Sequence, residues 1–467
     1  MSILVVLAGS VVWLVAFPAL ALAKTYEVGP DKKYANIDDV PWEVLNAGDR
    51  VLIHWRPEPY RAKWVVCRRG TRERPIIISG VLGPKGQQPV IDGRSAVTRP
   101  ELQFWNEERG VIKIGGANVP EDTLPAWIVL ENLEVRSGRP PFRFVSRRGV
   151  LPYARNAAAI YVEKGEHLVI RGCTIRDSGN GLFIGPETSD VLIEGCRIEG
   201  NGIEGSGYEH NAYTAALGIV FQFNRFGPLR SGCAGNNLKD RSAGLVIRYN
   251  WIEGGNRQLD LVDAEDSERH RDHASYRETF VYGNVLVERD GDGNNQIVHY
   301  GGDSGEEEWY RQGTLYFYHN TVVSQRSGTT VAFRLSTNGE TVDCRNNIFF
   351  VTAPGRHLAL MTTSGRAMLG RNWLKTGWRI SHERFRGSVV GLESSLTGDR
   401  PGFVDPARGD LHLQATSPCV NAGAALPEAL QRRHPVLFEF SATDFPVRRV
   451  QDAKPDIGAF EFGGDGQ

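Results

Sequence analysis

The sequence has no charge bias and no regular glycine period. Its 54 Lys and Arg residues nearly balance its 55 Asp and Glu residues, so the formal net charge is −1. This balance excludes a strongly basic chain, and we expect no nucleic-acid partner. The 53 glycines follow no Gly-x-y repeat, which excludes a collagen and indicates many turns instead.

Cysteine is also scarce. The six cysteines are widely spaced and include no Cys-x-x-Cys pair, which excludes a small disulfide-built scaffold and gives no sign of zinc. A disulfide could form in an oxidising compartment, but the spacing of the cysteines does not identify a pair. The cysteines are Cys67, Cys173, Cys196, Cys233, Cys344 and Cys419.

Long apolar runs are missing except at the start of the chain. Residues 1–23 are uncharged and apolar and end in Ala21-Leu22-Ala23, the small-x-small pattern of a signal-peptidase site. The pattern predicts a signal peptide and a secreted or periplasmic protein that begins at Lys24. No Lys or Arg precedes the run, so an uncleaved anchor is the alternative. We expect no membrane span after cleavage.

The middle of the chain contains a repeat. A short apolar strand is followed by Gly or an aromatic residue and then by Asn or Cys, and successive markers are 23 to 36 residues apart. A unit of this size cannot bury its apolar face alone, so the units must stack. This predicts an all-β fold, a single-stranded right-handed parallel β-helix, in which marker Asn side chains form a ladder and marker Cys residues fill the same inward slot. The markers are Cys173, Cys196, Asn224, Asn250, Asn284, Asn320, Asn347 and Asn372.

The repeat also predicts the organisation of the mature chain as one domain, residues 24–467. Residues 24–100 form the amino-terminal cap and first coils, residues 158–375 the central coils and residues 400–467 the closing segment. Two charged stretches, 263–279 and 303–313, interrupt the repeat and are expected to project from one side as long loops. We expect a monomer.

Strand alternation predicts a column of outward side chains. After each turn we align GLFIG, NAYTA, NLKDR, QLDLV, IVHYG and VAFRL, with Leu182, Ala212, Leu238, Leu259, Val298 and Ala332 pointing inward. The outward column is then Phe183, Tyr213, Lys239, Asp260, His299 and Phe333. Arg241 lies beside Lys239 on the outer face, while His210 and Asn211 begin the Tyr213 rung. A slip of one residue would send the column inward.

Both ends of the chain resemble a known superfamily. The opening KTYEVGPDKKYANIDDVPWEVLNAGDRV and the ending DLHLQATSPCVNAG with PDIGAFEF resemble the entry and closing segments of the pectate-lyase-like β-helices. The resemblance implies a capping helix near Ile37 to Leu45. It is specific for the fold and weaker for the reaction, because the superfamily holds lyases, hydrolases, epimerases and non-catalytic adhesins.

The outward column contains groups suited to β-elimination from an acidic polysaccharide. That reaction needs a cation to neutralise a uronate carboxylate, a base for the neighbouring proton and an acid for the leaving oxygen. Lys239, in NLKDRSAGLVIRYN, resembles the Lys rung of the chondroitinase B and alginate lyase family, which implies a Lys base, an Arg acid and calcium. The candidate catalytic residues are Lys239, Arg241, His210, Tyr213 and His299, and the candidate substrate-binding residues are Asn211, Asp260, Asp263, Phe183 and Phe333.

Several alternatives stay open. The family's Arg on the following rung is replaced here by QLDLVDA, so Arg241 could substitute from the same rung, or His210 or His299 could be the base. The carboxylates Asp260 and Asp263 also allow a glycoside hydrolase, and the same cleft could serve a uronate epimerase. Outside enzymes, the chain could be a glycan-binding adhesin. Calcium is implied near Asp260 only by the resemblance, and the alternating acids of RDGDGNNQ, residues 289–296, are explained more simply by a turn.

Overall fold

The computed structural model describes residues 22–443, 446–451 and 454–463. The predicted signal peptide, residues 1–23, lies outside the described residues except for its last two positions. Within these ranges, no helix combines the length and the apolar character needed to cross a membrane.

Short strands make up almost all of the regular structure. The first are β1 (Thr25–Val28), β2 (Arg50–His54), β3 (Ala62–Val66), β4 (Ile76–Val81), β5 (Val90–Asp92), β6 (Val97–Thr98), β7 (Gln103–Phe104), β8 (Gly110–Ile114), β9 (Ala117–Val119), β10 (Ala126–Glu131), β11 (Glu134–Arg136), β12 (Arg143–Ser146) and β13 (Gly149–Pro152). The central ones are β14 (Ala158–Arg171), β15 (Thr174–Arg176), β16 (Asn180–Glu194), β17 (Arg197–Glu199), β18 (Ala212–Gln222), β19 (Arg225–Phe226), β20 (Leu238–Asp240), β21 (Ala243–Arg248), β22 (Trp251–Glu253), β23 (Leu259–Leu261), β24 (Glu278–Tyr282), β25 (Val285–Glu288), β26 (Gln296–Tyr300), β27 (Thr314–Tyr318), β28 (Thr321–Ser324), β29 (Thr330–Leu335), β30 (Thr341–Arg345), β31 (Ile348–Val351), β32 (Leu358–Met361), β33 (Arg366–Leu369) and β34 (Trp373–Lys375). The last are β35 (Ser388–Val390), β36 (Leu396–Gly398), β37 (Phe403–Asp405), β38 (Asp410–Leu413), β39 (Phe438–Glu439) and β40 (Val447–Arg448).

These strands stack in parallel along three faces of the coils, called here the first, second and third sheets; the long strands β14, β16 and β18 run through both the first and the second. The first sheet runs β1, β2, β4, β10, β14, β16, β18, β21, β24, β27, β30, β33, β35. The second sheet runs β3, β8, β14, β16, β18, β20, β23, β26, β29, β32. The third runs β5, β11, β15, β17, β19, β22, β25, β28, β31, β34, β36. The predicted parallel β-helix is confirmed.

The predicted asparagine ladder is also confirmed. The Nδ2 of Asn224 donates to Oδ1 of Asn250 at 2.9 Å, and that of Asn250 to Asn284 at 2.9 Å. The chain of bonds continues through Asn320 and Asn347 to Asn372. Each side chain is fully or almost fully buried, and it also bonds backbone groups of its own and neighbouring coils. These polar side chains can be buried without a large energetic cost because each amide hydrogen-bonds the next.

A second, shorter ladder was not predicted. Asn201 Nδ2 donates to Asn211 Oδ1 at 2.9 Å, and Asn211 Nδ2 donates to Asn237 Oδ1 at 2.9 Å. Asn211, predicted to bind substrate, is 0% exposed. Its amide group is fully hydrogen-bonded inside the coil, so Asn211 stabilises the coil and does not face a ligand.

The amino end is capped by two separate 3-10 helices, Ile37–Asp39 and Trp42–Val44. The single capping helix predicted near Ile37 to Leu45 is therefore wrong in form. Val40 takes an extended conformation because it precedes Pro41, whose ring disfavours a helical residue before it. Trp42 stacks on Trp64 with ring centroids 5.2 Å apart, which closes the end of the core.

The carboxyl-terminal segment folds back along the sides of the coils. It contains helix α2, Glu428–Arg433, while α1, Glu268–Arg271, belongs to an earlier loop. Tyr249 Oη donates to the Pro435 carbonyl at 3.1 Å and accepts from the Leu437 amide at 2.9 Å. The segment thus covers apolar side chains on the outer face of the coils.

The two charged stretches form loops on one side of the coils, and these loops pack against the coils instead of standing free. They carry α1 and the 3-10 helices Ala274–Arg277 and Glu307–Trp309, and they pack on each other: Tyr276 Oη donates to the Trp309 carbonyl at 2.7 Å. The Arg271 guanidinium also lies 4.6 Å from the Trp309 ring centroid. Both loops fold over the outer face of the second sheet, because their aromatic and polar side chains find partners there. The other 3-10 helices are Glu107–Arg109, Gly355–His357, Leu392–Ser394 and Pro406–Arg408.

Candidate active site

The second sheet carries the predicted column of outward side chains. Its Cα register aligns, rung by rung, Lys113, Tyr161, Phe183, Tyr213, Lys239, Asp260, His299 and Arg334. Adjacent parallel strands lie about 4.8 Å apart, so Tyr213 and His299 are separated by roughly 14 Å. The predicted order of Tyr213, Lys239, Asp260 and His299 on four adjacent rungs is confirmed.

The predicted register is wrong at the last rung. Val298 pairs with Phe333, so His299 faces Arg334 and not Phe333. Phe333 is 1% exposed and packs against Phe317 at a ring distance of 5.1 Å. Ala332 and Phe333 are both buried in the core, and Phe333 takes the position opposite Val298 that the alignment had given to Ala332. Phe333 therefore cannot bind substrate from this position.

Three aromatic rings occupy consecutive rungs of the column. Tyr161 stacks on Phe183 at 4.9 Å, and Phe183 stacks on Tyr213 at 5.4 Å with the two planes only 5° apart. The Arg109 guanidinium lies 4.8 Å from the ring centroids of both Tyr161 and Phe183. Both faces of Phe183 are thus occupied by neighbouring rings, and only ring edges point toward a ligand. Phe183 was predicted to bind substrate, and this geometry limits it to edge contacts.

Charged side chains form the other half of the column. Lys239 Nζ lies 2.5 Å from Asp303 Oδ2 and 3.6 Å from Asp260 Oδ2. Its side chain is 13% exposed, because the loop that begins at Gly301 covers it. Lys239 is therefore a largely buried, ion-paired cation beneath this loop.

Arg241 is the second cation, two residues further along the same rung. Its Nε donates to Tyr213 Oη at 2.8 Å and its Nη1 to the Asp263 carbonyl at 2.6 Å. Its Nη2 lies 2.9 Å from Asp303 Oδ1 and 2.8 Å from Glu265 Oε1. The fixed fork of a guanidinium holds all four groups in one geometry.

Asp303 bridges the two cations, and sequence reasoning missed it. Its backbone N–H donates to Asp263 Oδ1 at 2.8 Å, so a buried carboxylate positions the loop. Burial opposes its ionisation, but the charges of Lys239 and Arg241 together lower the pKa of Asp303 below its ordinary value. The only sequence signal was its place in a charged loop that follows the His299 strand.

Asp260 and His299 form a buried pair on the next two rungs. His299 Nδ1 donates to Asp260 Oδ1 at 2.8 Å, and Asn236 Nδ2 donates to Asp260 Oδ2 at 2.7 Å. Burial would raise the pKa of Asp260, but the hydrogen bond and charge of His299 lower it instead. Burial lowers the pKa of His299, whose Nε2 contacts Ser336 Oγ at 2.9 Å. Both groups are held by partners, which suits a positioning role.

His210 lies beside the Tyr213 ring, 5.8 Å from it and nearly parallel. Burial and the positive charge of Lys239 lower the pKa of His210 to about 3. The ring is thus neutral near pH 7, and its Nδ1 accepts from the Asn236 amide at 2.9 Å. The proton is consequently on Nε2. Burial raises the pKa of Tyr213, so its hydroxyl stays protonated.

A fully buried ion pair lies beneath the two cations. Arg311 Nη2 is 3.4 Å from Asp240 Oδ1, and both side chains are 0% exposed. Arg311 also donates to the carbonyls of Val262 and Ser242 at 3.0 and 2.9 Å. It therefore ties the loop that carries Asp303 to strand β20, which carries Lys239, and to the turn after it, which carries Arg241.

Calcium, which the family resemblance implies, does not fit these carboxylates. Calcium needs six or more oxygen ligands that are free to point at it. Both oxygens of Asp260 and both of Asp303 already contact protein donors, and Arg241 and Lys239 lie among them. Near residues 289–296, Asp290 Oδ1 accepts from Ser327. Within the described ranges, no group of three or more His, Cys, Asp or Glu side chains could hold a metal ion.

Comparisons with known proteins agree on the fold. The family described as right-handed β-helix region matches residues 131–268. The pectate lyase Pel9A is 12% identical with a TM-score of 0.50, over 95% of this chain and 97% of that one. A rhamnogalacturonan lyase is 14% identical with a TM-score of 0.50, over 88% and 98%. An alginate lyase from Paenibacillus sp. str. FPU-7 is 10% identical with a TM-score of 0.48, over 80% and 99%.

No curated protein sequence matches the chain. The identities to solved structures are too low to transfer a reaction, so the comparisons define the fold alone. The protein has the fold of a right-handed parallel β-helix.

Proposed function

We propose that the protein is a secreted or periplasmic enzyme that acts on an acidic polysaccharide and cleaves it by β-elimination in the cleft over the second sheet. The observation that supports this most is that Lys239 and Arg241 together hold one carboxylate, that of Asp303, at 2.5 and 2.9 Å. β-Elimination needs cations at the uronate carboxylate, because the neighbouring proton is only weakly acidic. Lyases among proteins of this fold are consistent with the proposal.

In this proposal, a substrate carboxylate takes the place of the Asp303 carboxylate against the Arg241 guanidinium, beside Lys239. The side chain of Asp303 is 31% exposed, whereas that of Arg241 is 6% exposed. Asp303 is thus the partner that solvent and ligand can reach, and Arg241 stays fixed by Tyr213 and Asp263. A bidentate guanidinium contact orients the carboxylate plane.

Proton transfer is then assigned to Lys239 and Tyr213. As the substrate displaces Asp303, Lys239 gives one ammonium proton to the Asp303 carboxylate, which lies 2.5 Å away. The neutral Lys239 amine then takes the proton from the carbon beside the substrate carboxylate, as the family resemblance implies, while the bond to the leaving oxygen breaks with its electron pair. Tyr213 gives its hydroxyl proton to that oxygen, since its hydroxyl is protonated and already accepts from Arg241. Asp260 and His299 position Lys239, and His210 packs against Tyr213.

A glycoside hydrolase is the second candidate, and one observation favours it. Asp303 and Glu265 both contact Arg241 Nη2, at 2.9 and 2.8 Å. Because both carboxylate oxygens contact the same nitrogen, they lie within about 6 Å of each other. The two catalytic carboxyl groups of retaining glycosidases are about 5 Å apart, which falls within this range. Burial raises the pKa of Glu265, which suits a general acid, while the charges of Lys239 and Arg241 lower the pKa of Asp303, which suits a nucleophile.

Absorbance near 232 nm tests the proposal, because β-elimination creates an unsaturated sugar and hydrolysis does not. Purified mature protein is offered alginate, polygalacturonate and chondroitin, with reducing ends measured in parallel. We expect absorbance to rise on one of them and to fall at least a hundredfold in Lys239→Ala and in Tyr213→Phe. Adding calcium or a chelator should change the rate little.

Glu265→Gln is the matched variant for the second candidate. It should retain most of the absorbance signal if β-elimination occurs. Reducing ends without absorbance, abolished by Glu265→Gln, would replace the lyase proposal with hydrolysis. The absence of both signals on all three polymers would argue against both.

A further inference from the structure

A cavity of about 540 Å³ lies over the third sheet, on a different face of the coils from the candidate active site. Side chains of the third sheet and of the closing segment, which folds back over that sheet, form an apolar floor: Val287, Val323, Leu411 and Phe460. All four are at most 5% exposed. Small-molecule sites typically have volumes of roughly 300–1,000 Å³ and apolar linings. The cavity therefore has the size and the floor of a ligand site, and the proposed reaction does not use it.

Trp251 gives this cavity an aromatic wall, and its indole is half-buried. Its Nε1 donates to Glu253 Oε2 at 3.2 Å, and the Arg225 guanidinium lies 5.3 Å from its ring centroid. The Phe440 ring of the closing segment also lines the cavity, 5.9 Å from the indole. Because the polar edge of the indole is already hydrogen-bonded, Trp251 offers a ligand apolar ring surface.

Two polar side chains of the closing segment line the same cavity, and each keeps one hydrogen-bonding atom unused. His412 Nδ1 donates to Asp410 Oδ1 at 2.7 Å, which fixes the imidazole, and its Nε2 bonds no described residue. Glu439 is 3% exposed, and its Oε1 accepts from the Glu461 amide at 2.6 Å, while its Oε2 has no donor within the described ranges. A buried acceptor without a donor costs stability. A hydroxyl group of a molecule in the cavity can supply the donor that Glu439 lacks.

The lining distinguishes a neutral ligand from an acidic one. Glu253 and Glu439 both contribute carboxylates to the cavity, and Arg225 lies 3.7 Å from Glu253 Oε2. Arg408 is likewise 3.7 Å from Asp405 Oδ2, so both Arg residues of the lining are already paired with acids. The two carboxylates would repel a uronate carboxylate in the cavity. A neutral sugar ring has C–H groups that pack on aromatic surface and hydroxyl groups that bond carboxylate and imidazole acceptors.

We propose that this cavity is a glycan-binding site for a neutral sugar unit, which packs on Trp251 and hydrogen-bonds Glu439 and His412. The site is separate from the cleft over the second sheet and does not depend on the reaction proposed there. It lets the protein attach to a neutral glycan while the cleft stays free.

Affinity electrophoresis tests the site without requiring turnover. Native gels contain galactan, glucomannan, xyloglucan or dextran, and the mobility of the intact mature protein is compared with its mobility in a gel without polymer. We expect at least one of these neutral polymers to retard the protein. Trp251→Ala should weaken that binding about tenfold and His412→Ala about fivefold, since each variant removes one contact to the sugar.

His167→Ala is the matched control for His412→Ala. The His167 ring also contacts an aspartate, Asp190, and it stacks on another aromatic ring, that of Trp127, at 4.0 Å. Because His167 does not line the cavity, this variant should be retarded as strongly as the unaltered protein.

The outcomes separate this site from the reaction. Weaker retardation of Trp251→Ala and His412→Ala, with full retardation of His167→Ala, supports the site whether or not absorbance at 232 nm develops on an acidic polymer. Full retardation of His412→Ala overturns the site, and so does an equal loss in His167→Ala. The site is also overturned when none of the four polymers retards the unaltered protein. If Trp251→Ala does not fold, His412→Ala decides alone, since its side chain is 31% exposed and its removal should leave the melting temperature unchanged.

Discussion

Two columns run along this β-helix, one inside and one outside, and they are stabilised in opposite ways. The inner column repeats a single residue type, and each Asn from Asn224 to Asn347 bonds the next Asn at 2.9 to 3.1 Å. The outer column changes residue at each rung, from Tyr161 to Arg334. Its charged members pair with one another, as Asp260 does with His299, and with loop residues, as Lys239 does with Asp303. A repeated residue can form a column by stacking alone, whereas a varied column also needs partners from loops.

The difference matters for function. A ladder in which every amide satisfies the next has nothing left to offer a ligand. The outer column keeps a carboxylate that is 31% exposed against two fixed cations, and an anionic group from solvent can replace such a contact. The inner column thus forms part of the scaffold, and the outer column carries the candidate site.

The largest expected effect comes from the ion pair that ties the loop to the outer column. Arg311→Met leaves the buried Asp240 carboxylate without its cation, and we expect a loss of about 3–5 kcal/mol in the free energy of unfolding. Urea unfolding measures it. The double variant Asp240→Asn with Arg311→Met should recover part of the loss, because no buried charge remains. A loss below about 1 kcal/mol in the single variant would mean that the loop is held by other contacts.

Breaking the inner ladder should have a somewhat smaller effect. Asn284→Ala removes the acceptor of the Asn250 amide groups and a donor to Asn320, and unpaired buried groups cost about 2–4 kcal/mol together. Urea unfolding followed by circular dichroism measures the loss. Activity should be unchanged at temperatures where the variant is folded, since the ladder does not face the cleft. A variant that is fully stable would show that water replaces the amide.

Lowering the pH should destabilise the outer column and leave the asparagine ladder unaffected, because the ladder has no titratable group. The pKa of His210 is lowered to about 3, below the value near 6.5 expected in the unfolded chain. The neutral His210 ring contributes its full stability above pH 6.5, and this stability is lost as the pH falls toward 3. At pH 5 the loss in the free energy of unfolding is about 2 kcal/mol. His210→Gln should flatten the unfolding free energy between pH 7.5 and 5 relative to the unaltered protein. Parallel pH curves for both would contradict a buried neutral ring.

The smallest expected effect lies in the aromatic half of the outer column. Phe183→Leu removes one ring from the stack between Tyr161 and Tyr213, which should cost about 1 kcal/mol of stability. Turnover on the active polymer should change less than threefold, since both ring faces are covered and only an edge faces the cleft. Melting temperature and initial rates measure the two effects. A large rise in KM would instead assign Phe183 a direct contact with sugar.

The candidate site was predictable only in part. The order of Tyr213, Lys239, Asp260 and His299 followed from alternation within short strands, and each position is confirmed by the strand register. The last rung was wrong, since Ala332 and Phe333 are both apolar and the pattern alone does not say which one faces the core. Packing against Phe317 selects Phe333 and turns Arg334 outward.

The partners of the site could not be predicted. Asp303 and Glu265 belong to loops whose sequence is charged throughout, and nothing in it distinguishes the acid that meets Lys239 or Arg241 from those that stay in solvent. The same holds for Asn211, which looked like a polar residue of the cleft and lies in a second ladder.

The sequence by itself determined the parallel stacking, the asparagine ladder and the outward order of the central rungs, because these depend on residues that recur at one position of each coil. Only the tertiary structure decided which loop acids neutralise the cations, which way the last strand turns and why calcium does not fit the carboxylates. Those outcomes depend on contacts between residues far apart in the chain, such as Arg241 with Asp303, and no local pattern encodes such a distance.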